Sequence, residues 1–147
     1  MYEFADTWVE LYEEKFGSRT SQLLFRSKIA RRYKWHSYIR KLNKILALDF
    51  ENLLISSHFV ELSYEELSDL LQENDVGVRN EVVLYIAILK WLKYDLDKRR
   101  QHTLNLINLI RFPLMSEEEI FACYNPPILK DVVNQSEIKA LMADALK

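Results

Sequence analysis

Residues 35–53, WHSYIRKLNKILALDFENL, repeat large apolar side chains at steps of three and four: Trp35, Tyr38, Ile39, Leu42, Ile45, Leu46, Phe50 and Leu53. At about 100° per residue these positions fall in one stripe roughly 140° wide, the mark of a helix that lays one face on a core. Asp49 falls inside the stripe, so the helix is expected to bend or restart there. Upstream, Leu23, Ile29, Ala30 and Tyr33 fall on one side of a helix expected from about Ser21 to Tyr33. Before it, Phe4, Trp8, Leu11 and Tyr12 suggest a helix over about 2–16, ended by Gly17 and Ser18.

Downstream, Ser63 followed by Glu66 is a capping box, in which the serine oxygen and the glutamate satisfy each other's free backbone N–H groups. It opens a helix with Leu67, Leu70 and Leu71. Residues 74–77 form a turn. Asn80 is placed to cap a helix over about 81–94, with Glu81 near its positive end. That helix is apolar nearly all round and is expected to be the most buried. A helix over about 97–111 should turn Leu104, Ile107 and Ile110 inward and stop before Pro113. Ser116 and Glu119 make a second capping box. After the Asn125-Pro126-Pro127 loop, a last helix over about 135–146 carries Ile138, Leu141 and Met142.

The chain has 147 residues, about half of them apolar, with two glycines and three prolines. Sheets need turn residues at short intervals, so this scarcity favours helices with short links. The fold class expected is all-α: about eight helices, stacked as antiparallel pairs in a single domain. A net charge of −2 selects no strongly charged partner. The lone Cys123 excludes a disulfide framework. The acidic N-terminus lacks a signal-peptide pattern, and the longest apolar run, residues 82–89, is too short for a bilayer. The expectation is a soluble intracellular protein, cytoplasmic or nuclear.

Chemistry-bearing motifs are missing. His36, His58 and His102 are far apart, and none has a second ligand at metal spacing. Two isolated glycines make no phosphate-cradling loop. Cys123 has no neighbouring activator, and a structural thiol is the simpler reading. The carboxylates of 61–75 and 117–119 sit at helix starts and outer faces, where capping and solvation account for them. No enzyme, metal or cofactor is expected.

From Ile29 onward the sequence resembles the BACK family. The resemblance is carried by Ile29-Ala30, Tyr33 and Trp35, then Asp49-Phe50, Phe59, Leu62 and the leucines 67, 70 and 71. Its most specific part is Asn80-Glu81, the run Trp91-Leu92-Lys93-Tyr94-Asp95, Arg99, and the run Ile110-Arg111-Phe112-Pro113-Leu114-Met115. Residues 20–147 are read as the BACK-like domain. Residues 1–19 are read as a lead-in helix that matches the family poorly and fits the end of a BTB domain. Tyr33, Phe50, Glu81, Trp91, Arg99 and Arg111 are its structural signature, with Trp91 filling the core and Arg99 satisfying a carboxylate or a helix end. The resemblance implies a non-catalytic scaffold in a substrate adaptor of a cullin–RING ubiquitin ligase. There the first helix pair, about 21–48 here, helps bind the cullin of the BTB class together with an upstream BTB domain. Substrate would be held through other domains, and a homodimer is implied only where a BTB domain is present. Neither a full BTB domain nor a kelch repeat occurs in these 147 residues.

Residues 15–48 hold ten Lys or Arg and no acid, with Phe16, Phe25, Tyr33, Trp35 and Tyr38 interleaved. Helical spacing is expected to turn the aromatics inward and leave Lys28, Arg31, Arg32, Arg40, Lys41 and Lys44 as a solvated face. Leu24 and Phe25 are expected at the edge of the pair. Leu24 lies off the drawn stripe and lacks an evident internal partner. Leu24, Phe25, Arg40, Lys41 and Lys44 are therefore the cullin-facing candidates. The alternatives to a plain solvated face are a protein partner with acidic groups and a helical nucleic-acid-binding domain using the 15–48 surface. A membrane partner is not expected.

Overall fold

The computed structural model describes residues 19–146, and the helix expected over 2–16 lies outside them. Among the described residues there are helices and turns and no strand. They form two compact units. The first holds the residues up to His58 together with Glu73–Gly77; the second holds Phe59–Gln72 and everything from Val78 onward.

In the first unit, helix α1 (Arg19–Arg32) packs on α2 (His36–Leu48), which is followed by the short α3 (Phe50–Ile55). The α1–α2 link is closed by backbone geometry. Trp35 N–H donates to the Ala30 carbonyl at 2.9 Å and Lys34 N–H to that of Arg31 at 3.3 Å, while Lys34 adopts φ 57°. This is a Schellman reversal with lysine where glycine is commonest. The break expected at Asp49 is present: its N–H reaches back to the Ile45 and Leu46 carbonyls, and Asn52 donates to its carboxylate at 2.6 Å. Gly77 returns to this unit, donating its N–H to the Ala47 carbonyl at 2.7 Å. A Cβ at Gly77 would overlap the Leu48 carbonyl oxygen, so only glycine permits the approach.

The α1 core stripe differs from the one drawn on the sequence. The buried positions are Thr20, Leu23, Leu24, Ser27 and Ala30, whereas Ile29 is half-buried and Tyr33 exposed. The buried stripe is turned by roughly 100° from the expected one. Two hydroxyl residues, Thr20 and Ser27, occupy it, and a count of apolar side chains passes over them. On α2, Ile39, Leu42 and Leu46 are buried as expected, with Phe50 and Leu53 beyond the break. Ile45 is not, being 37% exposed.

In the second unit, α4 (Tyr64–Leu71) starts at the capping box foreseen: Glu66 N–H donates to Ser63 Oγ at 3.1 Å and Ser63 N–H to the Glu66 carboxylate at 3.1 Å. Helix α5 (Glu81–Tyr94) is capped by Asn80, whose Oδ1 accepts from Val83 N–H at 3.3 Å. It buries Leu84, Tyr85, Ala87, Ile88, Leu89, Trp91 and Leu92.

The single helix expected over 97–111 is instead broken into α6 (Leu96–Arg99), a 3-10 turn (Arg100–His102) and α7 (Thr103–Ile107). Thr103 Oγ donates to the Arg100 carbonyl at 2.7 Å, a local bond that competes with the α-helical ladder. The tighter turn advances the register, so Thr103, Leu106, Ile107 and Ile110 face inward and Leu104 is exposed. After the 3-10 turn Phe112–Leu114 come α8 (Glu117–Tyr124), opened by the Ser116–Glu119 box, a short α9 (Lys130–Val133) not foreseen, and α10 (Ser136–Ala145). No helix among the described residues is long and apolar enough to cross a membrane.

Candidate interaction surface

The α1–α2 pair carries the charges that the sequence singled out. Arg40, Lys41 and Lys44 are exposed, as are Arg19, Lys28, Arg32 and Lys34. Arg40 donates to Ser37 Oγ at 3.2 Å, one turn back on the same helix. Arg31 reaches the buried Asn43 at 3.5 Å and so ties α1 to α2. Phe25 is half-buried. Leu24 is a correction: it is 5% exposed and belongs to the core stripe of α1, so it offers nothing to a partner. Tyr33 is a second correction. It is 59% exposed, stacked on Trp35 at 5.4 Å between ring centroids, with the Arg32 guanidinium 6.0 Å from its ring. It sits at the Ccap of the Schellman reversal, where the chain leaves the helix and the ring is carried outward.

Of the remaining signature residues, four lie in the second unit, where Trp91 is buried and Glu81, Arg99 and Arg111 are half-buried. Trp91 is 1% exposed and donates its indole N–H to the Leu62 carbonyl at 2.8 Å, so its polar atom is satisfied inside the core. Arg99 answers a helix end. Its guanidinium donates to the Trp91 carbonyl at 2.7 Å, one of the last four of α5, and lies 4.1 Å from the Trp91 ring and 5.2 Å from the Tyr94 ring. Burial lowers the Arg99 pKa, and Asp95 opposes that shift. Glu81 accepts the Arg111 backbone N–H at 3.2 Å and stands 3.9 Å from the Arg111 guanidinium. It therefore fastens the start of α5 to the turn at Phe112–Leu114. Phe50, in the first unit, is fully buried. The signature is thus a set of fasteners rather than one site.

A residue that sequence reasoning passed over is Tyr85. It is buried and donates its hydroxyl to the Cys123 carbonyl at 2.8 Å, and burial, helped by Cys123, raises its pKa. Tyrosine on a helix that is otherwise almost wholly apolar was the available signal, since a buried phenol needs a partner. Burial, with Glu119 adding to it, pushes the Cys123 thiol up to about 11. A thiol held neutral in this way is a poor nucleophile at ordinary pH. His58 shares a hydrogen bond with Ser21 at 3.0 Å, and His102 stacks on Tyr64 at 3.9 Å. Among the described residues no three His, Cys, Asp or Glu side chains are grouped to hold a metal ion.

A family model described as BACK, BTB And C-terminal Kelch, matches residues 23–125. Kelch-like protein 28 of Mus musculus is 26% identical over 121 residues, which cover 82% of this chain and 21% of that protein. Kelch-like protein 28 of Homo sapiens matches with the same identity and the same coverage. The chain spans about a fifth of the length of these curated relatives.

Proposed function

The chain belongs to the BACK family, and on that premise we propose that it is a non-catalytic scaffold in a BTB-type substrate adaptor of a cullin–RING ubiquitin ligase. The match over residues 23–125 carries the reading, because it takes in nearly all of the α1–α2 pair and the Trp91–Arg99 fastener together. The mechanism is positional. Satisfied buried polar atoms stiffen the helices of the second unit, and a stiff body holds a recruited substrate at a fixed distance from the transfer machinery. The α1–α2 pair helps bind the cullin when a BTB domain lies upstream. Phe25 at its edge supplies apolar contact, and Arg40, Lys41 and Lys44 supply charge. Leu24 is withdrawn from that set because the core takes it.

Calorimetric titration of a cullin N-terminal region into the 147-residue chain, and into the same chain fused behind a BTB domain, tests this. The isolated chain should bind weakly or not at all, since one helix pair falls short of the roughly 1,200–2,000 Å² of a standard stable interface. The fusion should bind tightly. No binding by the fusion removes the ligase reading, and nanomolar binding by the chain alone overturns the division of labour. A second reading, nucleic-acid binding by the 15–48 surface, draws support from the exposed Tyr33 between Arg32 and Lys34. A steeply salt-dependent affinity for an oligonucleotide, lost in Tyr33→Ala, would favour it.

A further inference from the structure

The outer face of α2 combines two kinds of group that the cullin reading does not join. Ile39, Leu42, Asn43, Leu46 and Ala47 are buried on one side of the helix. Lys41, Lys44, Ile45 and Leu48 follow at steps of three, one and three, and so form a stripe about 100° wide on the other side. Leu48 is 62% exposed and Ile45 37%. Neither Lys41 nor Lys44 has an ion-pair partner among the described residues. No acidic residue occurs anywhere in 15–48 to neutralise them.

We propose that this face docks an acidic amphipathic helix of a partner protein, its apolar side chains meeting Ile45 and Leu48 and its carboxylates meeting Lys41 and Lys44. Charge complementarity selects the carboxylates. The exposed aliphatic pair selects protein over nucleic acid, because bases stack on aromatic rings and gain little from leucine or isoleucine. Lysine strengthens the same choice, since its long apolar stem can cover the edge of a docked helix while the ammonium stays wet. On α2 itself the four residues stand at i, i+3, i+4 and i+7, so they present one face along which a second helix can lie. The surface goes beyond the cullin reading in adding Ile45 and Leu48, and because the two share Lys41 and Lys44, a bound cullin and the acidic helix would compete.

The test uses the full chain and a synthetic helical peptide whose leucine stripe is bordered by glutamates. Amide shifts recorded during titration should change along 41–48. Replacing Ile45 and Leu48 together by serine should weaken binding by about tenfold. A glutamine version of the peptide should bind less tightly and lose its salt dependence. Both residues are exposed, and a circular-dichroism spectrum matching the parent's confirms that the serine variant is folded; Lys41→Gln with Lys44→Gln gives an independent arm. Absence of binding, shift changes elsewhere in the chain, or equal affinity for the glutamine peptide would overturn the proposal. So would an oligonucleotide or an anionic vesicle that displaces the peptide at lower concentration, since either names a different occupant.

Discussion

Trp91, Tyr85 and Arg99 each give a donor to a backbone carbonyl inside the second unit, whereas Arg40, Lys41 and Lys44 on α2 in the first unit direct their charge to solvent. Trp91 and Arg99 were as conspicuous in the sequence as the three cations, and Tyr85 was not. The roles of the two sets separate because burial makes an unmade hydrogen bond costly, while an exposed charge costs almost nothing and is free to meet a partner. Disruption should therefore lower stability in the first set and change association in the second.

The largest effect should come from Trp91→Ala, which removes a packed indole, leaves the Leu62 carbonyl without its donor and takes from the Arg99 guanidinium the nearer of its two rings. A loss of about 3–5 kcal/mol in denaturant unfolding is expected, and an unchanged midpoint would break the comparison at its stronger end. Leu24 sharpens it from the other side. As a core residue of α1 it should lose about 2–5 kcal/mol on replacement by alanine, where a surface leucine would lose almost nothing.

Alkaline pH probes the buried set by another route. The folded Cys123 thiol is raised from 9.0 to about 11, and Tyr85 is raised from 10.0. The unfolded chain therefore releases both protons at lower pH than the folded one. Stability held below pH 9 should fall as pH rises toward 11, and Cys123→Ser should flatten the first part of that decline in urea midpoints. Folded protein at pH 8 should also react slowly with iodoacetamide, with about a thousandth of the thiol ionised.

Smaller still, Lys34→Gly relieves a left-handed residue in the α1–α2 reversal and should raise stability by about 1 kcal/mol. Smallest in stability, reversing Arg40, Lys41 and Lys44 should leave the thermal midpoint nearly unchanged. In the BTB fusion it should mainly slow cullin association and flatten its salt dependence.

What could be read from the sequence follows the range of the interaction involved. Both capping boxes, the Asn80 cap and the break at Asp49 are settled within four residues, and the chain spells them out locally. The face of α1 is settled by packing, and with Thr20 and Ser27 in the core the apolar pattern pointed the wrong way. The segment 97–111 slipped because a 3-10 turn changes the angular step, and nothing in its apolar spacing records that. At the interaction surface the charges were legible and the apolar residues beside them were not. Leu24 turned out to be core and Ile45 surface, while Leu48, never assigned to the core stripe, is exposed beside it.

Gly77 has a consequence for the order in which the protein is made. The first unit is not a continuous piece of chain: after His58 it waits for Glu73–Gly77, and Gly77 must lay its backbone against Ala47 and Leu48 before the end of α2 is closed. A nascent chain released as far as His58 carries helices α1, α2 and α3 and still lacks the strap that finishes the unit. The intervening residues 59–72, which include α4, and then 73–77 have to leave the ribosome before the first unit can be completed, so the first of these helices to be synthesised are not the first to be secured.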